Sequence, residues 1–229
     1  MPDVSTRVGR GAPFSRLIMP AAWTAALTLP LVGLVSLFFR RQLDPKWQSD
    51  RLHFELFLLV GAGACTLAYL AGQSADRRGD ARVFLLSLAF LATGGFLAVH
   101  AFGTPGILLD NDVPGFASAI PAGMVIGSAF ALASSFVDDR PRLAVAVVRH
   151  RLALRSTVLV AIAIWSVFSL AQLPPLAGRA LEGGGTFLRI LGGIAALVYG
   201  ASAIRYLVAF RGNMTLLPAS VCCLLHARR

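Results

Sequence analysis

The sequence predicts an all-α integral membrane protein, a helical bundle with about six transmembrane helices. Of its 229 residues, 56% are hydrophobic and 14% are charged, whereas about a quarter of the residues in a soluble domain are charged. The charges are clustered, and between the clusters run apolar stretches of about 20 residues, the length that a helix needs to cross about 30 Å of hydrocarbon. These stretches lack the strict alternation of a membrane β-barrel, so we expect helices to satisfy the backbone within the bilayer.

Six apolar stretches are predicted to span the bilayer. They cover residues 17–39, 53–71, 83–102, 116–136, 157–173 and 187–210. Residues 1–16 and 211–229 are then cytoplasmic tails, and residues 17–210 form one transmembrane domain. The first stretch follows three arginines, as a signal-peptide core would, but it is longer than such a core and is interpreted as a retained span.

Lysine and arginine residues divide unequally between the two predicted sides of the bundle. The side that holds both termini carries 14 of them, and the other side carries 5, four of which lie around the first loop. Because positive charge accumulates in cytoplasmic loops, we predict a multi-pass plasma-membrane protein with both termini in the cytoplasm. Arg189 and Arg205 lie near span ends, from which they can reach the headgroups. The net charge of +10 then reflects topology and contact with anionic lipid, and no nucleic-acid partner is predicted.

Small residues recur every four positions on two of the predicted spans. The fourth span carries Ala119, Gly123, Gly127 and Ala131, and the sixth span carries Gly192, Ala196 and Gly200. Such a ridge allows the backbone of a neighbouring helix to approach closely. Packing within the bundle is favoured for both ridges, and an interface in a homo-oligomer is the alternative.

The segment 141–155 places three arginines, Arg149, Arg151 and Arg155, among Leu, Val and Ala residues. One interpretation is a helix that lies in the cytoplasmic interface, with its arginines in contact with lipid phosphates. The other is a plain helical extension of the fifth span. The sequence alone does not separate the two.

Two histidines are the most specific candidates for a functional site. His53 opens the second predicted span and His100 comes near the end of the third, so in an antiparallel hairpin both imidazoles lie at similar depth near the outer surface. Imidazole binds transition metals and titrates near neutral pH. This pattern points to a metal, haem or proton-sensing site, completed by Asp110, Asp112 or water. The alternative is a pair of interfacial histidines bonded to water or to loop carbonyls.

No catalytic residues are predicted. Gly183, Gly184 and Gly185 form a turn that lacks the Lys and Ser/Thr of a phosphate-binding loop, and no Ser-His-Asp set follows from residue order. Carriers usually place ionisable groups near the midplane, and the predicted spans carry none there. A small transporter is therefore the weaker alternative.

Several short motifs form a pattern when they are taken together. They are Leu43-Asp44-Pro45, His53-Phe54, Arg78-Gly79-Asp80-Ala81-Arg82, Leu88-Ala89-Phe90-Leu91, Gly95-Phe96-Leu97, His100-Ala101, Thr104-Pro105-Gly106 and Ala203-Ile204-Arg205-Tyr206-Leu207. This pattern resembles the N-terminal membrane domain of actinobacterial class III adenylate/guanylate cyclases and of some sensor histidine kinases. It covers most of residues 40–210 and is strongest over residues 53–106.

The resemblance implies a sensory or regulatory membrane module that acts on a cytoplasmic output domain or signalling partner. Its relatives would carry a catalytic domain after the membrane spans, and the sequence after Arg211 shows no counterpart of the cyclase metal and nucleotide residues. The chain is therefore expected to be a truncated or stand-alone module without enzymatic activity. A metal- or haem-binding redox protein that uses His53 and His100 is the alternative from a different class.

Overall fold

The computed structural model describes residues 28–29, 32–33, 36, 39, 49–109, 113–174, 176 and 186–213. The chain divides into two units, residues 1–48 and residues 49–229. In the first unit the six described residues are helical, and the rest of the first predicted span lies outside the described residues. All elements named below belong to the second unit.

The described part of the second unit consists of helices joined by turns and short irregular segments, one of which contains an isolated β-bridge between Pro105 and Leu109. Its α-helices are α1 (Asp50–Arg78), α2 (Ala81–Phe102), α3 (Pro114–Ala117), α4 (Ala119–Phe136), α5 (Pro141–Arg149), α6 (Arg151–Leu170) and α7 (Thr186–Asn213). A 3-10 turn, Val137–Asp139, follows α4.

The hairpin of α1 and α2 has capping residues at its turn and at its open end. Ser49 begins α1, and its side chain accepts a hydrogen bond from the backbone N–H of Leu52. Gly79 ends α1 in the left-handed conformation, with φ of 66°, which glycine adopts without strain. Asp80 then caps α2 by accepting from the N–H of Val83. These two residues reverse the chain, so α1 and α2 are antiparallel neighbours.

The helix that the sequence predicts over residues 116–136 is broken near its start. Ser118 separates α3 from α4, and Pro121 lies two residues into α4. Because proline has no N–H, it cannot complete the hydrogen bond to the fourth preceding carbonyl. The break turns the carbonyl of Phe116 toward α2, where it contacts the candidate site described below.

The core of the bundle is centred on α2, which packs against α1, α4, α5 and α6. One half of the core surrounds Phe84 and Leu88, and the other half surrounds Phe96. The ring of Phe96 meets the indole of Trp165 edge-to-face, with centroids 5.5 Å apart. The remaining long helix, α7, packs against α4.

Five segments of the described chain are long and apolar enough to cross a bilayer. They are Asp50–Arg78, Ala81–Phe102, Pro114–Asp139, Arg151–Leu170 and Leu188–Ala209. Large apolar side chains on α1, α6 and α7 are exposed, as Leu59, Val160 and Leu197 illustrate. A helix that is apolar on its exposed face is typical of a membrane span. The all-helical bundle is thus confirmed, with five candidate spans in the described residues.

Candidate functional site

The structure brings His53 and His100 into direct contact. Their Nε2 atoms lie 3.1 Å apart, and the ring centroids are 5.3 Å apart at 64°, so the two rings meet through their nitrogen ends. His53 lies in the first turn of α1 and His100 in the last turn of α2. The hairpin therefore places two residues that are 47 positions apart in sequence at the same end of the bundle.

A backbone carbonyl fixes the tautomer of His100. Its Nδ1 lies 3.0 Å from the carbonyl oxygen of Phe116, and because a carbonyl only accepts, Nδ1 carries the proton. In the neutral ring, Nε2 of His100 is then a bare acceptor, and Nε2–H of His53 donates to it. The direction of the N–H···N hydrogen bond is thus set by α3.

Phe57 forms an apolar floor beneath the histidine pair. Its ring centroid lies 4.5 Å from that of His53 and 4.9 Å from that of His100. His53 is exposed and His100 is half-buried. Arg51 and Glu55, which flank His53 on α1, form an ion pair with each other at 2.9 Å and so add no net charge. The pair is open to solvent on one side and closed by an aromatic ring on the other.

The separation of the two nitrogens is compatible with a shared metal ion but not with axial ligation of haem. Imidazole nitrogens bound to one ion at about 2.0–2.1 Å lie about 2.8–3.4 Å apart in cis or tetrahedral positions, a range that includes the observed 3.1 Å. Axial ligands on opposite faces of a haem iron would be about 4 Å apart, with the porphyrin between them. The haem interpretation therefore does not fit this arrangement.

A third metal ligand is not provided by the part of the chain that the structure describes. Within it, no group of three or more His, Cys, Asp or Glu side chains has a metal-binding arrangement. Asp110 and Asp112, which the sequence suggests as further ligands, lie outside the described residues. Because His53 is exposed, water can also supply coordination at this site.

The small residues of α4 form its interface with α2. The buried residues of α4 include all four members of the predicted ridge, Ala119, Gly123, Gly127 and Ala131. A Cβ added at Gly123 would lie 2.5 Å from Cβ of Phe96, and one added at Gly127 would lie 2.4 Å from Oγ1 of Thr93. In both cases a backbone carbonyl of α2 lies within 3.2 Å. The ridge is thus occupied within the chain.

Among the described residues, the predicted ridge on α7 does not pack in this way, and the alternative, an interface in a homo-oligomer, stays a prediction. Among the described residues nothing lies within 4 Å of a Cβ added at Gly192 or Gly200, and Ala196 is exposed. The physical reason is that α7 meets its neighbours through another face, on which Ala195 and Ser202 are buried. Equal spacing in sequence therefore does not imply equal packing.

The three arginines predicted to contact lipid phosphates fall into two groups. The chain bends at His150, where ψ is 18°, so α5 is a helix separate from α6. The fifth span is therefore extended at its start only as far as Arg151. Arg149 ends α5 and is exposed. On α6, Nη2 of Arg155 lies 3.1 Å from Oδ2 of Asp76, and Nη1 of Arg151 lies 3.7 Å from Oδ1. A carboxylate of α1, rather than lipid alone, therefore engages two of the three.

A row of polar contacts that sequence reasoning missed holds α7 to the bundle. The hydroxyl of Tyr199 lies 3.2 Å from that of Thr93, and the hydroxyl of Tyr206 lies 2.7 Å from that of Ser134. Between them, Ser202 donates to a backbone carbonyl of α4 at 2.9 Å. The spacing of three and four residues along α7 puts these side chains on one helical face, and this was the available signal.

Two adjacent carboxylates in the 3-10 turn after α4 form ion pairs with two different helices, α2 and α7. Asp138 pairs with Arg82 at the start of α2, and Asp139 pairs with Arg205 of α7. Arg205 also lies over the ring of Phe136, 3.7 Å from its centroid. The sequence placed Arg205 near a span end with its charge at the headgroups, whereas the structure engages it within the chain.

We expect Tyr206→Phe to lower the free energy of unfolding by about 0.6 kcal/mol, the average for interhelical hydrogen bonds in a membrane protein. Unfolding in mixed detergent, followed by circular dichroism, measures this change. Tyr69→Phe is the matched control, because Tyr69 is exposed and, in the described part of the chain, its hydroxyl accepts from Gln73 of the same helix. Equal losses in the two variants would show that the polar row does not stabilise the packing of α7.

Comparison with known proteins finds no matching family model, no matching curated protein and no matching solved structure. The resemblance to the membrane domains of cyclases and histidine kinases therefore stays a prediction.

Proposed function

We propose that this chain is a membrane-embedded sensory or regulatory module without catalytic activity of its own. The observation that carries the proposal is the position of α2. One end of this helix holds His100 in contact with His53, and the other end holds Arg82 in an ion pair with Asp138. A change at the histidine pair that shifts α2 would therefore act directly on the charged cluster at the opposite end, which consists of Arg82, Asp138, Asp139 and Arg205.

The charged cluster offers a route from α2 to α7. Arg82 pairs with Asp138 and also lies 5.7 Å from the ring centroid of Tyr206 on α7, and α7 reaches the neighbouring carboxylate, Asp139, through Arg205. Ion pairs and hydrogen bonds between rigid helices are the type of contact that has two discrete arrangements. The module would thus report its state through the end of α7 and the turn that follows α4.

The charge distribution supports an orientation in which the cluster faces the cytoplasm. The basic residues of the α1–α2 turn, of α5 and of the start of α6 are all at the end of the bundle that carries Asp76 and Asp138. This end corresponds to the side with 14 of the Lys and Arg residues, which the positive-inside rule places in the cytoplasm. The protein would then lie in the plasma membrane, with the histidine pair outside and a cytoplasmic signalling partner at the charged end.

Coupling between the two ends is the test of the proposed function. His100→Gln in lipid nanodiscs should change amide hydrogen exchange in residues 137–149 several-fold, although this segment is about 27 Å away along α2. Arg51→Gln is the control, because Arg51 is exposed at the histidine end and, among the described residues, forms its ion pair with Glu55 of its own helix. Exchange at residues 137–149 that responds to neither substitution, or equally to both, would contradict a signalling role for the pair.

The proposed orientation predicts opposite accessibility of two exposed positions. In a chain with Cys65, Cys222 and Cys223 replaced by Ser, a membrane-impermeant maleimide added to intact cells should label Asp50→Cys and not Arg78→Cys. Asp50 and Arg78 are the two ends of α1. Labelling of Arg78→Cys alone would show the inverted orientation, and labelling of both would argue against a spanning helix.

A further inference from the structure

We infer that His53 and His100 together bind one late first-row divalent metal ion, such as Zn²⁺ or Cu²⁺, at the open end of the α1–α2 hairpin. The nitrogens that would ligate the ion belong to two adjacent helices and already lie 3.1 Å apart. That separation is within the range of about 2.8–3.4 Å for two imidazoles in cis or tetrahedral positions on one ion. Binding therefore requires rotation of the rings, without movement of the helices.

The second ring nitrogen of His100 has the partner that a metal-binding histidine needs. Its Nδ1–H donates to the carbonyl oxygen of Phe116 at 3.0 Å, a contact that fixes the ring and keeps the Nε2 lone pair free. Histidines that bind metals are commonly oriented by a carbonyl or carboxylate in this position. The break between α3 and α4 that exposes this carbonyl thus serves the site directly.

Metal binding requires the proton on Nε2 of His53 to leave the space between the two rings, and it can do so by a change of tautomer. Neutral His53 carries its proton on Nε2 when it donates to His100, and it presents Nε2 to a metal when the proton moves to Nδ1. The ring is exposed, so Nδ1–H can be solvated. Two N–metal bonds then replace one N–H···N hydrogen bond, with no net loss of a proton. Protonation of either ring competes with the metal, so affinity should fall on acidification.

The donor set selects the class of metal. Two imidazoles favour Zn²⁺, Cu²⁺ or Ni²⁺ over the oxygen-preferring Mg²⁺ and Ca²⁺. Cys65, the described cysteine, lies 12 residues along α1 from His53, about 18 Å away, so its thiolate does not contribute. Solvent reaches His53 and can supply water ligands. The idea that such an ion is the stimulus of the module rests on the proposed sensory function. The idea that the ion binds at this site does not depend on that function.

Metal titration of the full chain tests the inference. The tail residues Cys222, Cys223 and His226 are first replaced by Ser, Ser and Gln, and a tag without histidine is used. We expect this protein in detergent to bind one Co²⁺ per chain with a visible absorption band, and Zn²⁺ but not Mg²⁺ to displace it. His53→Gln and His100→Gln should each weaken binding at least about tenfold. His150→Gln is the control, because His150 is exposed at the opposite end of the bundle.

Equal Co²⁺ binding in the His53→Gln variant would overturn the site, and so would equal competition by Mg²⁺. Because His53 is exposed in the first turn of α1, this variant is expected to fold, and its thermal unfolding verifies that. Hydrogen exchange of residues 137–149 with and without Zn²⁺ separates the two proposals. Binding without a change there would exclude the ion as the stimulus and leave the metal site intact.

Discussion

Replacement of both Gly123 and Gly127 by leucine is expected to destabilise the bundle by about 3 kcal/mol or more, at roughly 1–3 kcal/mol for each overpacked position. The cause is that even a Cβ would meet Phe96 and Thr93 at 2.5 Å or less. A carbonyl of the α2 backbone lies within 3.2 Å at each position, and backbone atoms cannot rotate away. The helices α2 and α4 must therefore separate, and the core around Phe96 opens.

Thermal unfolding in detergent measures this effect, and a loss of about 3 kcal/mol corresponds to a fall in Tm of about 6–12 °C for a chain of this size. The control is the double replacement of Gly192 and Gly200 by leucine, because these glycines have nothing within 4 Å among the described residues. We expect the control to change Tm by no more than about 1 °C. A fall in Tm of similar size in the control would show that the open face of α7 is packed against another surface, such as a second copy of the chain.

The presence and approximate position of the described helices follow from the sequence, whereas their ends and the faces through which they meet do not. The apolar run over residues 53–71 predicts a helix that the structure extends to Asp50–Arg78, since Ser49 and Gly79 cap it beyond the apolar run. In contrast, the ridges on α4 and α7 have the same spacing, but among the described residues only the ridge on α4 is packed against another helix. In a membrane helix the lipid-facing and protein-facing sides are both apolar, so hydrophobic periodicity carries little information about packing.

The candidate site likewise has features that the sequence predicts and features that it does not. Matching depth of His53 and His100 follows from two antiparallel helices of similar length, and the observed contact at 3.1 Å agrees with it. The carbonyl of Phe116 is a backbone group, and any residue at position 116 would present one, so sequence reasoning could not single it out. The pairing of Arg155 with Asp76 joins positions 79 apart, and this depends on the relative rotation of α1 and α6.

The glycines of α1 differ in their packing, and this difference is not evident from the sequence. A Cβ added at Gly61 would lie 3.0 Å from the carbonyl oxygen of Gly94 and 3.1 Å from the amide nitrogen of Ala98. A Cβ added at Gly94 would lie 2.9 Å from the carbonyl oxygen of Gly61. The two backbones thus approach each other closely at these glycines. Gly63, two positions further along α1, has no described residue within 4 Å of an added Cβ.

Gly61→Val is therefore expected to lower the free energy of unfolding by about 1–3 kcal/mol, while Gly63→Val should leave it nearly unchanged. Both variants carry the same side chain in the same helix, so helix propensity and hydropathy are matched and only the contact with α2 differs. The histidine pair extends the prediction. His53 lies eight residues before Gly61, about 12 Å along the helix, and separation of α1 from α2 should break its contact with His100.

Co²⁺ titration and thermal unfolding of the two variants measure both consequences in the same samples. We expect Gly61→Val to weaken Co²⁺ binding at least about tenfold, as the loss of a positioning contact commonly does at metal sites, and Gly63→Val to bind as the parent chain does. If Gly61→Val lowers stability but leaves Co²⁺ affinity unchanged, the ion is held without the close approach of α1 and α2. If the two variants unfold alike, the close approach of the helices at Gly61 and Gly94 is wrong. The valine side chain would clash with backbone atoms of α2, and only movement of a whole helix can relieve such a clash. The Gly61→Val substitution therefore tests the hairpin geometry on which the site depends.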